Sequence, residues 1–147
     1  GSYKKNDYYQ NNIEDRIRDA VTEKNLIFSY REEDYKSIAS ESKVIVCTYN
    51  GTNDIEALQM NRPTIIFWNE EYFKSIESAN TKFDLLRDAK IFHGNPESAA
   101  NHLNNIWWNP LDWWYSTKVQ NARKEFLHCY GKSSSAPARE MISFIKK

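Results

Sequence analysis

The stretch of this chain richest in chemistry reads Thr48-Tyr49-Asn50-Gly51-Thr52-Asn53-Asp54-Ile55-Glu56. It joins a β-branched run, Val44-Ile45-Val46-Cys47, to a helical segment. Gly51 permits a tight turn and a close backbone approach. Thr52 and Asn53 bring hydroxyl, amide and backbone N–H donors to a helix start, where the helix dipole is positive. Those groups suit a phosphate, and Tyr49 and Asn50 complete the loop around it. Glu56 shares a helical face with Thr52 and Asn53 and leans back toward the helix N-terminus. An ionised carboxylate only accepts hydrogen bonds, which suits the two hydroxyls of a ribose. The same spacing fits a capping box between Asn53 and Glu56, which needs no ligand. The segment carries neither a GxGxxG nor a GxxxxGK[ST] pattern.

Four further residues are candidates by position. Ser29 and Arg31 follow the apolar run Asn25-Leu26-Ile27-Phe28 and would face the same cleft. Arg31 could pair with a phosphate, or stand in solvent at a capped helix start. Trp68 ends a third apolar run, where its indole either stacks on a base or sugar or packs inside the fold. His93 closes a short run and could touch a ligand, whereas His102 and His128 fall inside helices. His, Cys, Asp and Glu nowhere cluster with metal-ligand spacing, so no metal is expected. Cys47 and Cys129 lack the basic neighbours that make a thiol a nucleophile. Trp107-Trp108 and Trp113-Trp114 flank Asn109-Pro110 and are expected to pack two helices together. In a second reading, part of that cluster faces another domain or a membrane surface.

The elements that would position these residues are legible as periodicities. Residues 1–12 read as a tag remnant (Gly1-Ser2) and a polar linker. A helical pattern starts at Ile13, with Ile17, Ala20 and Val21 on one face, and fades near Lys24. Leu26–Phe28 reads as a strand. Ser29 and Glu32 form a capping-box signature opening a helix through Tyr35, Ile38 and Ala39. Val44–Cys47 is the second strand, Thr52 to Asn61 a helix, and Pro63 leads a third strand, Thr64–Phe67. A helical stretch from about Glu70 to Asp88, with a break near Asn80, precedes a short strand at Ile91-Phe92. Beyond it the chain turns helical, with Asn95-Pro96 and Asn109-Pro110 as cap-and-proline starts. A small loop, Ser133 to Pro137, precedes a last helix ending at Lys147. Strand–helix alternation with continuous apolar strands predicts an α/β fold. That fold is a Rossmann-like parallel sheet flanked by helices, its strands buried on both sides, with an all-helical C-terminal third. Residues 13–147 are read as one domain, a fragment of a larger protein.

Composition narrows the function classes. At 147 residues, 40% hydrophobic and 14% aromatic, the chain can fill a core, so disorder as the main state is excluded. Twenty basic residues balance twenty acidic ones, which argues against a nucleic-acid partner. Two cysteines are too few for a disulfide scaffold and read as free thiols in a reducing compartment. No apolar run approaches the ~20 residues of a transmembrane helix.

Residues 44–58 together with Asn61-Arg62-Pro63-Thr64-Ile65-Ile66-Phe67-Trp68 resemble the donor-binding, C-terminal half of a GT-B glycosyltransferase. More narrowly, they are similar to transferases encoded among bacterial O-antigen and surface-polysaccharide (lipopolysaccharide) biosynthesis genes. Ala89-Lys90-Ile91-Phe92-His93, Pro96-Glu97-Ser98-Ala99-Ala100, Trp113-Trp114 and Val119-Gln120 extend the likeness over about residues 25 to 145. Related patterns occur in nucleotide-sugar epimerases and polymer transferases. The resemblance implies a nucleotide sugar as substrate, with Gly51, Thr52 and Asn53 at its phosphate and Glu56 at its ribose. It implies no metal or other cofactor, because helix dipole and side chains stabilise the leaving phosphate. The glycan or lipid-linked acceptor and the catalytic base would come with a second, N-terminal half. The fragment by itself is then expected to lack turnover, in a cytoplasmic setting that is at most peripheral to the inner membrane. The alternatives are a nucleotide-sugar epimerase, a polyol-phosphate transferase half, and a non-catalytic Rossmann-like binding module.

Overall fold

The computed structural model describes residues 7–21, 26–29, 32–49, 51–69 and 77–131. The chain divides into two compact units, Gly1–Tyr35 and Lys36–Lys147. The first contains helix α1 (Asp7–Ala20) and the start of α2 (Glu32–Glu41). The polar stretch expected as a linker thus enters a helix at Asp7, ahead of Ile13. Acidic and amide residues tolerate a helical first turn, and the apolar period alone could not mark it.

Leu26–Phe28 is not a strand. Among the described residues the segment has no ladder partner, and Ile27 is 93% exposed. An apolar triplet becomes a strand only when its backbone groups pair. Here the Phe28 ring instead lies under the Arg18 guanidinium, 4.9 Å from ring centroid to carbon. Tyr30, Arg31, Asn50, 70–76 and the loop and helix expected over 133–147 lie outside the described residues.

The second unit is the α/β body. Its sheet is parallel, in the order β1 (Ile45–Cys47), β2 (Thr64–Phe67), β3 (Phe92–His93), with Ile45 opposite Thr64 and Ile66 opposite Phe92. Helices α3 (Thr52–Gln59) and α4 (Glu77–Asp88) connect the strands, and α5 (Pro96–Ile106), α6 (Pro110–Trp114) and α7 (Thr117–Tyr130) follow. The central strand β2 is buried through Thr64, Ile65 and Ile66. Strand β1 is an edge, and there the expectation of burial on both faces fails: Ile45 and Cys47 point inward while Val46 is 43% exposed. The β-branched run looked continuous because β propensity, not two-sided burial, selects those residues at an edge.

Side chains knit α7 and the strand connections into this body. Trp114 is fully buried and its Nε1–H donates to both the carbonyl and the Oδ1 of Asn61, each at 3.0 Å. Asn61 follows α3 in the left-handed region (φ 52°), a conformation that asparagine tolerates better than most residues. Arg123 of α7 donates to the Leu58 carbonyl at 2.7 Å, covering the end of α3. Trp68, Phe83, Phe92 and Phe126 form a chain of aromatic contacts with centroids 4.6–5.4 Å apart. Of the four clustered tryptophans, Trp113 and Trp114 pack as expected, whereas Trp107 and Trp108 are exposed, with the Lys43 ammonium 4.8 and 5.9 Å from their rings.

Candidate functional site

Because all three strands are parallel, their carboxyl ends, Cys47, Phe67 and His93, lie along one edge of the sheet. The loop after β1 leads straight into α3, whose N-cap is Gly51 in extended backbone (φ −155°, ψ 178°). Glycine is needed here for space. A Cβ on Gly51 would stand 2.5 Å from Cε2 of Tyr49, so the phenol ring folds directly over the turn. The ring is held there from the helix side, since Nδ2 of Asn53 donates to the Tyr49 hydroxyl at 3.0 Å. Thr52 and Asn53 occupy the first two helical positions. Tyr49, Gly51, Thr52 and Asn53 are therefore one contiguous group, with Glu56 exposed one turn further on.

The helix start also decides the capping question. Asn53 is a helical residue, not the N-cap, and its amide is committed to Tyr49, so no Asn53–Glu56 capping box forms. The acid that turns back is Asp54, at the third helical position. Its polar neighbours are the Gly51 backbone, whose carbonyl accepts from the Asp54 N–H at 3.3 Å, and the Cys47 thiol. Asp54 is only 5% exposed, and its Oδ1 is buried without a hydrogen-bond partner. Burial raises its pKa to about 6. Burial first, then the adjoining Asp54 charge, pushes the Cys47 thiol up to about 12. Reading the sequence overlooked Asp54; its signal is the Gly51-x-x-Asp54 spacing, an acid three residues after a glycine that ends a strand loop.

The remaining candidates are placed differently. Trp68 is buried, with its ring 5.2 Å from Phe83 and 4.6 Å from Phe92, the packing alternative of its two readings. His93 is buried and engaged at both nitrogens: Nε2–H donates to the Lys90 carbonyl at 3.0 Å, which leaves Nδ1 to accept from the Ser98 hydroxyl at 2.8 Å. Desolvation lowers its pKa, so it is a neutral structural histidine. Its ring stacks 5.4 Å from His102, which meets Trp113 edge-on at 4.7 Å. His102 keeps a buried Nε2 without a hydrogen-bond partner, and burial first, then His93 and Lys90, lowers its pKa to about 4. Ser29 is exposed in the first unit. Among the described residues no three His, Cys, Asp or Glu side chains gather as a metal site, and no helix is long and apolar enough to cross a membrane.

A family model described as LIC12162 family transferase matches residues 2–145. None of the curated proteins and none of the solved structures matches the chain.

Proposed function

We infer the reaction from one premise: the chain belongs to the LIC12162 family of transferases. We propose that the group transferred is a glycosyl unit and that this domain binds its nucleotide-sugar donor, in the assembly of a surface polysaccharide such as O-antigen. The observation that carries this reading is the start of α3: a glycine N-cap at the carboxyl edge of a parallel sheet, with Tyr49 and Asn53 beside it and Glu56 exposed behind it. Ligands of open α/β sheets bind beyond the strands' carboxyl ends. In the proposed complex the donor phosphate sits at the start of α3, beside Gly51, Thr52 and Asn53, and the positive helix end offsets the charge of the leaving nucleotide. The Glu56 carboxylate accepts from the ribose hydroxyls. Trp68 and His93, whose polar and aromatic surfaces are already engaged, are left out of the contact set. The acceptor, a glycan or lipid-linked glycan, supplies the attacking hydroxyl.

Calorimetric titration of UDP-glucose, UDP-N-acetylglucosamine and GDP-mannose into wild type, Glu56→Ala and Glu56→Gln tests the reading. Loss of charge-assisted bonds worth roughly 1.5–3 kcal/mol should weaken binding about ten- to a hundredfold in Glu56→Ala. Glutamine should recover little, since it offers a single carbonyl acceptor to two hydroxyls. Equal affinities in all three proteins would remove Glu56 from the site.

A further inference from the structure

The corner between α5 and α6 leaves a pair of tryptophans outside the fold. Trp107 is the C-cap of α5, and Trp108 follows it before Asn109 opens α6. Further on, Trp113 and Trp114 are pinned by their indole N–H groups, the first to the Ala89 carbonyl at 3.1 Å and the second to Asn61. The inner pair thus anchors the corner that presents the outer one. Trp108 is 88% exposed, Trp107 nearly half, and Leu111 and Tyr115 on the following turns are exposed as well. Adjacent indoles in water are costly, and a patch of this kind marks a surface that something else covers.

A cation accompanies them. Lys43 reaches the pair from just before β1, its ammonium 4.8 Å from the Trp107 ring centroid and 5.9 Å from that of Trp108. The backbone beside it is fixed, because the Ser42 carbonyl accepts from Arg62 at 2.7 Å and the Ser42 hydroxyl donates to the Ile38 carbonyl at 2.6 Å. Among the described residues Lys43 makes no ion pair, and the acid of α6, Asp112, is engaged by the Asn109 amide. This combination selects the occupant. A dry protein interface would strip water from an ammonium that has no acid to meet it. A glycan stacked on the indoles would compete with the ammonium for the ring faces. The boundary layer of a bilayer suits both parts: indoles settle at headgroup level, and a lysine extends its charge to the lipid phosphates.

We propose that the α5–α6 corner is a lipid-docking surface: Trp107 and Trp108, with Leu111 and Tyr115, enter the headgroup boundary of an anionic bilayer while Lys43 pairs with its phosphates. The contact is peripheral, since among the described residues no helix is long and apolar enough to cross a membrane. Lys43 precedes β1 and Asn61 precedes β2, so the corner lies at the amino edge of the sheet, and docking leaves the carboxyl edge free. Nothing in this contact depends on the donor-binding reading.

The test is binding of the chain to vesicles of phosphatidylethanolamine and phosphatidylglycerol, with phosphatidylcholine vesicles for comparison. Flotation gives the partition coefficient, and lipid brominated on its acyl chains quenches only indoles that reach the boundary, sparing the buried Trp68 and Trp114. Wild type should float with the anionic vesicles and be quenched. Replacing both outer residues, Trp107→Ser with Trp108→Ser, should lower the partition coefficient about tenfold or more and abolish the quenching. Lys43→Gln should weaken binding to the anionic vesicles about fivefold and to phosphatidylcholine less than about twofold. Melting curves show whether the variants are folded. If the double variant is not, wild-type quenching and the lipid-charge dependence of Lys43→Gln decide. Wild type that neither floats nor is quenched overturns the proposal, as does a folded double variant that binds within about twofold of wild type. A concentration-dependent dimer in sedimentation velocity that the double variant abolishes would give the corner to a second copy and overturn it. A shift of tryptophan emission with soluble dextran but not with vesicles would give it to a glycan, with the same consequence.

Discussion

At the scale of single residues, Asp54 and Cys47 show how burial sets chemistry. An acid whose pKa is raised by folding, here from 3.8 to about 6, binds its proton more tightly in the native state. Its contribution to stability is therefore present below pH 3.8 and is lost as pH rises through about 6, a loss of about 3 kcal/mol. Asp54→Asn should then melt above wild type at neutral pH, and the difference should close on acidification to about pH 4, as urea denaturation at several pH values will show. The thiol beside it, pushed up to about 12, has almost no thiolate at neutral pH. Iodoacetamide should alkylate the exposed Cys129 and spare Cys47 until the protein unfolds, which peptide mass spectrometry reads directly.

The junctions between elements hold the site in shape, and two substitutions examine them. Gly51→Ala meets no backbone strain, because φ −155° is ordinary extended geometry, but its methyl must push the Tyr49 ring aside. The fold should survive with a loss of about 1 kcal/mol or less, while the Tyr49–Asn53 hydrogen bond breaks. Loss of the Tyr49–Asn53 contact in nuclear magnetic resonance spectra, with an unchanged circular dichroism signal, would show it. On the opposite side of α3, Trp114 ties α6 to the turn at Asn61 through one N–H shared by two oxygens. Trp114→Phe removes that donor from a buried site and leaves a void. It should cost about 2–4 kcal/mol in denaturant unfolding, the most damaging of these changes. Trp107, exposed on the same run of chain, should tolerate the same substitution within about 0.5 kcal/mol.

Across the whole molecule, Asp54 and His102 pull stability in opposite directions over one pH window. Folding lowers the His102 pKa from 6.5 to about 4, so its contribution is present above pH 6.5 and is lost as pH falls toward 4. The size, about 3 kcal/mol, matches that of Asp54 with the opposite sign. Wild type should therefore show a nearly flat stability profile across this window from these two groups. His102→Gln should expose the Asp54 slope, becoming more stable than wild type on acidification. Asp54→Asn should expose the His102 slope, and the double variant should keep the loss on acidification that His93, its pKa also lowered by burial, contributes.

Much of this architecture was readable from the chain. Thr64–Phe67 announces itself as a strand because Pro63 breaks the preceding helix and β-branched residues follow. Asn95-Pro96 announces α5, and its Asn95 Oδ1 does accept from the Ser98 N–H at 2.8 Å. The strand–glycine–helix junction at residues 44–56 was legible for the same reason: local backbone chemistry dictates it. What stayed hidden depends on which groups meet in space. Leu26–Phe28 has strand composition but no pairing partner among the described residues. Trp68 and His93 sit at strand ends, as a ligand contact would, yet neighbours from other elements, Phe83 of α4 for the first and Ser98 of α5 for the second, engage them. Asp54 reads as an ordinary helical acid until β1 and the loop close around it and strip away its water. The sequence determined the elements and their order, because propensity, caps and prolines act over a few residues. Tertiary structure alone decided which polar groups are solvated, paired or orphaned, because desolvation is a property of the packed body and not of any segment.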